Sequence, residues 1–252
     1  TYNNETPQAD DEKNGIYHAL PLATGVYSGA IYAGTSTLGN TTKDNVLTID
    51  GMNIFGRTMY GGDTQSMTGD STDNEVILRN IPASGGSSVY DVYGGWSKNG
   101  KATGNTITLE GSGGYGTGYG MYNYARLYGG YSGKAGATTA DNTAGNTLKV
   151  TAKDSGAESI SNFEKMKFVL GDNVASGDTM LYLRYYMQNF DWTKIAVDNA
   201  STWGAGKNGT QHVTLYKGQW FTLSNYGTSP VNGTSDDYEY GITSNTTTPT
   251  VA

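Results

Sequence analysis

The sequence predicts an all-β chain wound into a parallel β-helix, a right-handed solenoid with irregular loops and a β cap at its C-terminal end. Three observations lead there. A tyrosine unit recurs four times, as Ile31-Tyr32-Ala33-Gly34, Met59-Tyr60-Gly61-Gly62, Val92-Tyr93-Gly94-Gly95 and Leu127-Tyr128-Gly129-Gly130. An asparagine unit follows each copy, as Asn45-VLTI, Asn74-EVIL, Asn105-TITL and Asn146-TLKV. Within each asparagine unit the apolar residues alternate with mostly polar ones (Leu47/Ile49, Val76/Leu78, Ile107/Leu109, Leu148/Val150).

Successive tyrosines lie 28, 33 and 35 residues apart, and successive asparagines 29, 31 and 41 apart. A period in this range marks a solenoid, propeller or array. Alternation of two is the geometry of a strand with one buried face. Each copy is too short to bury that face alone, so copies must stack on one another. A propeller blade needs four antiparallel strands, more than these repeats offer. Parallel crossovers favour the right-handed sense.

Taken along the chain, residues 1–24 are a polar, acidic lead-in, and residues 25–153 hold the four repeats. Residues 154–242 read as degenerate rungs and a C-terminal cap, and residues 243–252 as a linker tail. The paired glycines 61–62, 94–95 and 129–130 are expected to bend the chain through positive φ at a rung corner. The asparagines are expected to stack as an amide ladder. Insertions fall at Ser84–Ser88, at Ser112–Gly120 and at Gly133–Gly145, between the units and not inside them. In the segment Phe163-EKMKFVL, Met166, Phe168 and Leu170 share one face of a further rung, with a short helix over 161–167 as the alternative. Strands are expected at 212–216, 219–224 and 238–242. An open solenoid end recruits other strands, so a cap is expected there.

Composition fits a slender core under a wide polar surface. Hydrophobic residues make up 36%, with 37 glycines, 20 tyrosines and no cysteine. Without cysteine there is no disulfide framework, which leans towards a bacterial surface or a chain that crosses a membrane unfolded. The net charge of −7 argues against nucleic acid as a partner. No apolar run is long enough for a membrane helix, so no direct membrane insertion is expected. The start at Thr1 and the lack of a recognisable leader are read as a mature or excised fragment.

Candidate chemistry is sparse. Tyr32, Tyr60, Tyr93 and Tyr128 each follow an apolar residue, so one of each pair must face out. The apolar residue is placed inside and the tyrosines in an outer aromatic ladder. Such a ladder either ties strands together or offers a strip to sugar rings or a partner surface. It is the one candidate ligand-binding site. Acids cluster at Asp63/Asp70/Asp73, at Asp172/Asn173/Asp178 and at Asp236/Asp237/Glu239, without recurring at the repeat period, so they read as solvated turns. Calcium is the rival for the first two groups. His18 and His212 lack partners for zinc or for a triad. Neither a catalytic residue, nor a metal site, nor a cofactor is expected, and the chain is not read as an enzyme.

The strings VYGGWSKNGKATGNTITLEG and LYGGYSGKAGATTADNTAGNTLKV resemble the passenger repeats of Gram-negative bacterial autotransporters. ISNFEKMKFVLGDNVASGDTMLYL resembles the segment between such repeats and the membrane barrel in long passengers. The resemblance covers about residues 25–185. It implies a secreted β-helical module on a Gram-negative cell surface, an adhesin or structural stalk without catalysis. The partner would be a host surface molecule or glycan, and self-association is compatible with it. The alternative is a polysaccharide-binding or polysaccharide-degrading β-helix.

Overall fold

The computed structural model describes residues 2–3, 17–18, 30–50, 58–81, 90–110, 125–183, 187–188, 194–198, 203, 211–218, 238–243 and 246–251. They build a parallel β-solenoid with three faces. The aliphatic sheet has eight strands. Its main body is Val46–Asp50, Glu75–Arg79, Thr106–Glu110, Thr147–Val150, Lys165–Val169 and Ile195–Asp198, stacked in that order. The tyrosine sheet stacks Ile31–Ser36, Thr58–Thr64, Tyr90–Ser97, Ala125–Ser132, Ser159–Ser161 and Met187–Gln188. A short sheet of Thr42–Lys43, Ser71–Thr72 and Ala102–Thr103 joins the two.

Register follows the sequence periodicity. Leu47, Val76, Ile107, Leu148, Met166 and Ile195 are successive partners in one column. Ile31, Met59, Val92, Leu127 and Ile160 form the facing column. Apart from the half-buried Ile195, these side chains are buried, and together they make the core. A slip of one residue would turn every one of them to solvent.

At the corner before each aliphatic strand stands the asparagine ladder. The Asn45 amide donates to Asn74 Oδ1 (2.8 Å), Asn74 to Asn105 Oδ1 (3.0 Å) and Asn105 to Asn146 Oδ1 (3.3 Å). Each acceptor oxygen also takes the backbone N–H of the preceding asparagine. The residue before each ladder position, Asp44, Asp73, Gly104, Gly145 or Asn162, has positive φ. This is a turn position that only Gly, Asn and Asp occupy at low cost. At the fifth rung the buried Phe163 takes the ladder position and ends it.

The paired glycines have a different reason from the one expected. None of the six has positive φ, and all lie inside the tyrosine strands. They are needed for space. A Cβ on Gly62 or Gly95 would lie 2.5 Å from the ladder amide of Asn74 or Asn105. A Cβ on Gly94 would lie 2.6 Å from the carbonyl of Gly129 on the next rung.

The segment after the repeats continues the stack. Lys165–Val169 is a strand with Met166, Phe168 and Leu170 buried, and not a helix. The Gly133–Gly145 insertion contains a one-turn helix, Thr139–Thr143, closed by a capping box between Thr138 and Asp141. Further strands lie towards the two ends. Tyr2–Asn3 and Tyr17–His18, within the lead-in, add two short parallel strands to the aliphatic sheet. Thr246–Val251, within the stretch read as a linker tail, pairs antiparallel with Tyr238–Thr243. That hairpin sits on Gln211–Gly218, itself parallel to Thr179–Leu183 and Ser155–Ala157. The change from parallel to antiparallel pairing is the cap. The strand expected at 219–224 and the insertions at 84–88 and 112–120 lie outside the described residues.

Gly95→Ala should cost about 3 kcal/mol in urea unfolding, as an overpacked core position. Gly136→Ala should cost only about 1 kcal/mol, because its φ is +71° and nothing lies within 4 Å. Equal costs would contradict the steric reading.

Candidate functional site

Tyr32, Tyr60, Tyr93 and Tyr128 occupy one register column on the outer face of the tyrosine sheet. They alternate with the buried Ile31, Met59, Val92 and Leu127, so strand geometry forces them outward. Their rings stack in sequence. Centroids lie 5.0, 5.2 and 4.7 Å apart with planes within 13° of parallel. These spacings match the separation of neighbouring strands, about 4.8 Å, so the ladder is the backbone stack repeated in side chains. Each inner ring therefore has both faces covered by its neighbours. What the ladder offers to solvent is ring edges and hydroxyls, and Tyr32 at one end is 42% exposed.

Beside the ladder lies a second aromatic pair that the sequence reading missed. Trp96 and Tyr131 are register partners with near-parallel rings 6.1 Å apart. Tyr131 also meets Tyr93 edge-on at 6.2 Å. Both stand three residues after a ladder tyrosine, but the same position is Thr35 and Asp63 in the other two copies. In the same column on the earlier rung stands Asp63. It is buried, and the Gln65 amide donates to both of its carboxylate oxygens at 2.9 and 3.0 Å. On the other flank, Asp91 and Arg126 form an ion pair of 2.6 Å between adjacent rungs.

These surroundings set the ladder's electrostatics. Tyr60 is pushed up from 10.0 to about 12, first by burial and then by the charges of Asp63 and its neighbours. Burial raises Tyr93 as well, with Asp91 adding to it. Asp63 is itself raised by burial, against the Gln65 hydrogen bond, which lowers it. Burial thus favours the neutral phenol at Tyr32, Tyr60 and Tyr93, each able to donate and accept hydrogen bonds.

The column behind the ladder was also missed. Ser36, Thr64, Ser97 and Ser132 stand four residues after each tyrosine, in register. Ser97 and Ser132 donate to the carbonyls of Gly69 and Gly100 on the preceding rung, at 2.7 and 2.6 Å. These hydroxyls are structural.

The acidic groups do not converge. Asp63 is held by Gln65, Asp70 accepts the Lys101 backbone N–H at 2.7 Å, and Asp73 lies 3.7 Å from Lys43. Asp178 binds Lys153 at 2.9 Å and accepts the Ala175 N–H. Among the described residues, no group of three or more His, Asp or Glu side chains is placed to hold a metal ion. The side chains of His18 and His212 and the acids at 236–239 lie outside the described residues. Comparison with protein-family models, curated proteins and solved structures gives no match to this chain.

The folded state holds Tyr60 protonated above its usual range, so it binds more protons than the unfolded chain between pH 10 and about 12. Stability from this group is complete below pH 10 and is lost as pH rises towards 12. Urea unfolding between pH 9 and 12 should therefore show a smaller loss in Tyr60→Phe than in the parent chain. An unchanged loss would contradict the assignment.

Proposed function

We propose that this chain is a non-catalytic structural module of a surface protein, a rod segment of the autotransporter-passenger kind that spaces or presents an adhesive surface. The observation that carries the reading is where the polar side chains are used. Asn74 and Asn105 bridge rungs from inside the wall. Arg79 bridges them from outside, 2.6 Å from Glu110 and 3.6 Å from Asp50. Asp91 and Arg126 do the same beside the aromatic ladder. Groups that an enzyme would aim at a substrate are here aimed along the solenoid axis, where they hold one rung to the next. General acid–base work needs two such groups converging on one bond, and these diverge to separate partners.

The alternative, a polysaccharide-binding wall, draws its support from Trp96 and Tyr131. They widen the aromatic face beyond the self-covered ladder, and aromatic faces suit sugar rings. Delivery to the surface of a Gram-negative bacterium is part of the proposal and rests on the resemblance of the repeats.

Two measurements test the proposal together. The chain incubated with neutral and acidic polysaccharides should release no reducing ends. Protease added to intact source cells should remove the epitopes of an antibody raised against the chain. Release of reducing ends that Asp91→Asn abolishes would overturn the non-catalytic reading. Epitopes digested only after lysis would overturn the surface reading.

A further inference from the structure

We propose that the outer face of the aliphatic sheet, over its last three rungs, binds an acidic polysaccharide. The proposal goes beyond the structural-module reading and does not rest on it.

The face is built by register. Lys149 and Lys167 are direct cross-strand partners. Lys194 immediately precedes Ile195, the partner of Met166, and so enters the next strand beside the end that carries Lys165. Lys149, Lys165 and Lys167 alternate with the buried Leu148, Met166 and Phe168, so they point away from the core. The four lysines therefore form a staggered grid across three neighbouring strands, with Thr147 beside Lys165 and Ala196 beside Lys167 at the remaining positions. Neighbours across strands stand about 4.8 Å apart at the backbone, and neighbours along a strand about 7 Å.

Such a grid works against the fold. Like charges directly opposite each other on a sheet destabilise it, and this chain carries a net charge of −7. Lys167 has an acid within reach, Asp198 at 2.6 Å. Lys149, Lys165 and Lys194 have no ion pair among the described residues, in contrast to Lys43, Lys134 and Lys153. Three of these four cations stand without a counter-charge among the described residues, an arrangement that calls for an external polyanion.

The occupant's class follows from what surrounds them. The earlier half of the same face is acidic but already committed. Arg79 sits between Asp50 and Glu110, and Glu75 accepts the Thr108 hydroxyl at 2.7 Å. That half is poorly placed to dock on the lysines of a second copy. From Val46–Asp50 to Ile195–Asp198 the outward positions on this face carry no aromatic side chain, so nucleic-acid bases have no stacking platform there. No apolar wedge projects from the grid towards a lipid bilayer. Thr106 and Thr147 continue the Lys165 column and place hydroxyls beside the charges, partners for sugar hydroxyls. Lysine is a compact point charge without the bidentate fork of arginine, suited to sulfates or carboxylates spaced along a chain of sugars.

The test is a titration of the whole chain with a heparin-derived oligosaccharide and with a polygalacturonate oligosaccharide, followed by calorimetry. At least one should bind. Its affinity should fall by roughly 30-fold between about 50 and about 200 mM salt, the slope of about three neutralised charges. Lys165→Gln/Lys194→Gln should weaken binding about tenfold or more, with the melting temperature unchanged because both side chains are exposed. Lys98→Gln/Lys101→Gln removes the same charge from the turn before Ala102–Thr103 and should change affinity less than about twofold. Equal losses in the two variants, or failure of both oligosaccharides to bind, overturns the proposal. So does equal or tighter binding of duplex DNA or of pure phosphatidylglycerol vesicles, or a dimer that Lys165→Gln/Lys194→Gln disperses.

Discussion

A primary amide buried inside a protein wall must find partners for its two N–H groups and its oxygen, or it costs about 1–3 kcal/mol for each group left bare. Asn74 and Asn105 solve this mainly with other asparagines of the same ladder. Each oxygen accepts both the side-chain and the backbone N–H of the rung before, and each amide donates to the oxygen of the rung after. Each amide also reaches the short strand of the preceding rung, at the carbonyl of Thr42 or Ser71. The arrangement is complete only when rungs sit one strand spacing apart and in register. The rest of the wall is arranged around that constraint.

The glycine columns are its first consequence. An amide turned inward at the corner fills the place where a Cβ of the facing strand would lie, so the second glycine of each pair can have no side chain. The positive-φ residue before each asparagine is the second, since it turns the chain so that the amide points in. The tyrosine stack is the third. Once rungs are held in register, rings on the outer face repeat at the rung spacing, and their contacts add about 0.5–1.5 kcal/mol per pair. Where Phe163 replaces the amide, the core is carried on by larger apolar side chains, Met166, Phe168 and Leu170. The wall then closes in an antiparallel hairpin.

Much of this was legible because a solenoid repeats its physics. Four copies at fixed offsets identified the strands, the columns of Leu47 and Ile31, the amide ladder and the outward tyrosines. What escaped were features whose cause lies in the neighbouring rung. The glycine pairs looked like corners, since local chain conformation is the usual reason for glycine and the facing amide lies some dozen residues away. The Ser36/Thr64/Ser97/Ser132 column was present in the sequence at a constant offset. Strict alternation places a residue four positions after an outward tyrosine on the outer face, whereas Thr64, Ser97 and Ser132 are buried because the alternation changes at the glycine pair. Trp96 and Tyr131 occur in only two copies, too few to show a column by periodicity. Tyr2–Asn3 reaches a partner far along the chain at Ile49, and Thr246–Val251 closes a hairpin on the strand just before it; the polar composition of these end strands concealed them.

Hydrogen exchange at side-chain amides tests the central claim most directly. If the asparagines carry the stack, the Nδ2 protons of Asn74, Asn105 and Asn146 should exchange only through global unfolding, as slowly as the backbone of the core strands. The Nδ2 protons of Asn80, which reach only Asp50 at the exposed surface, should exchange freely. Ladder amides that exchange as fast as Asn80 would contradict the account.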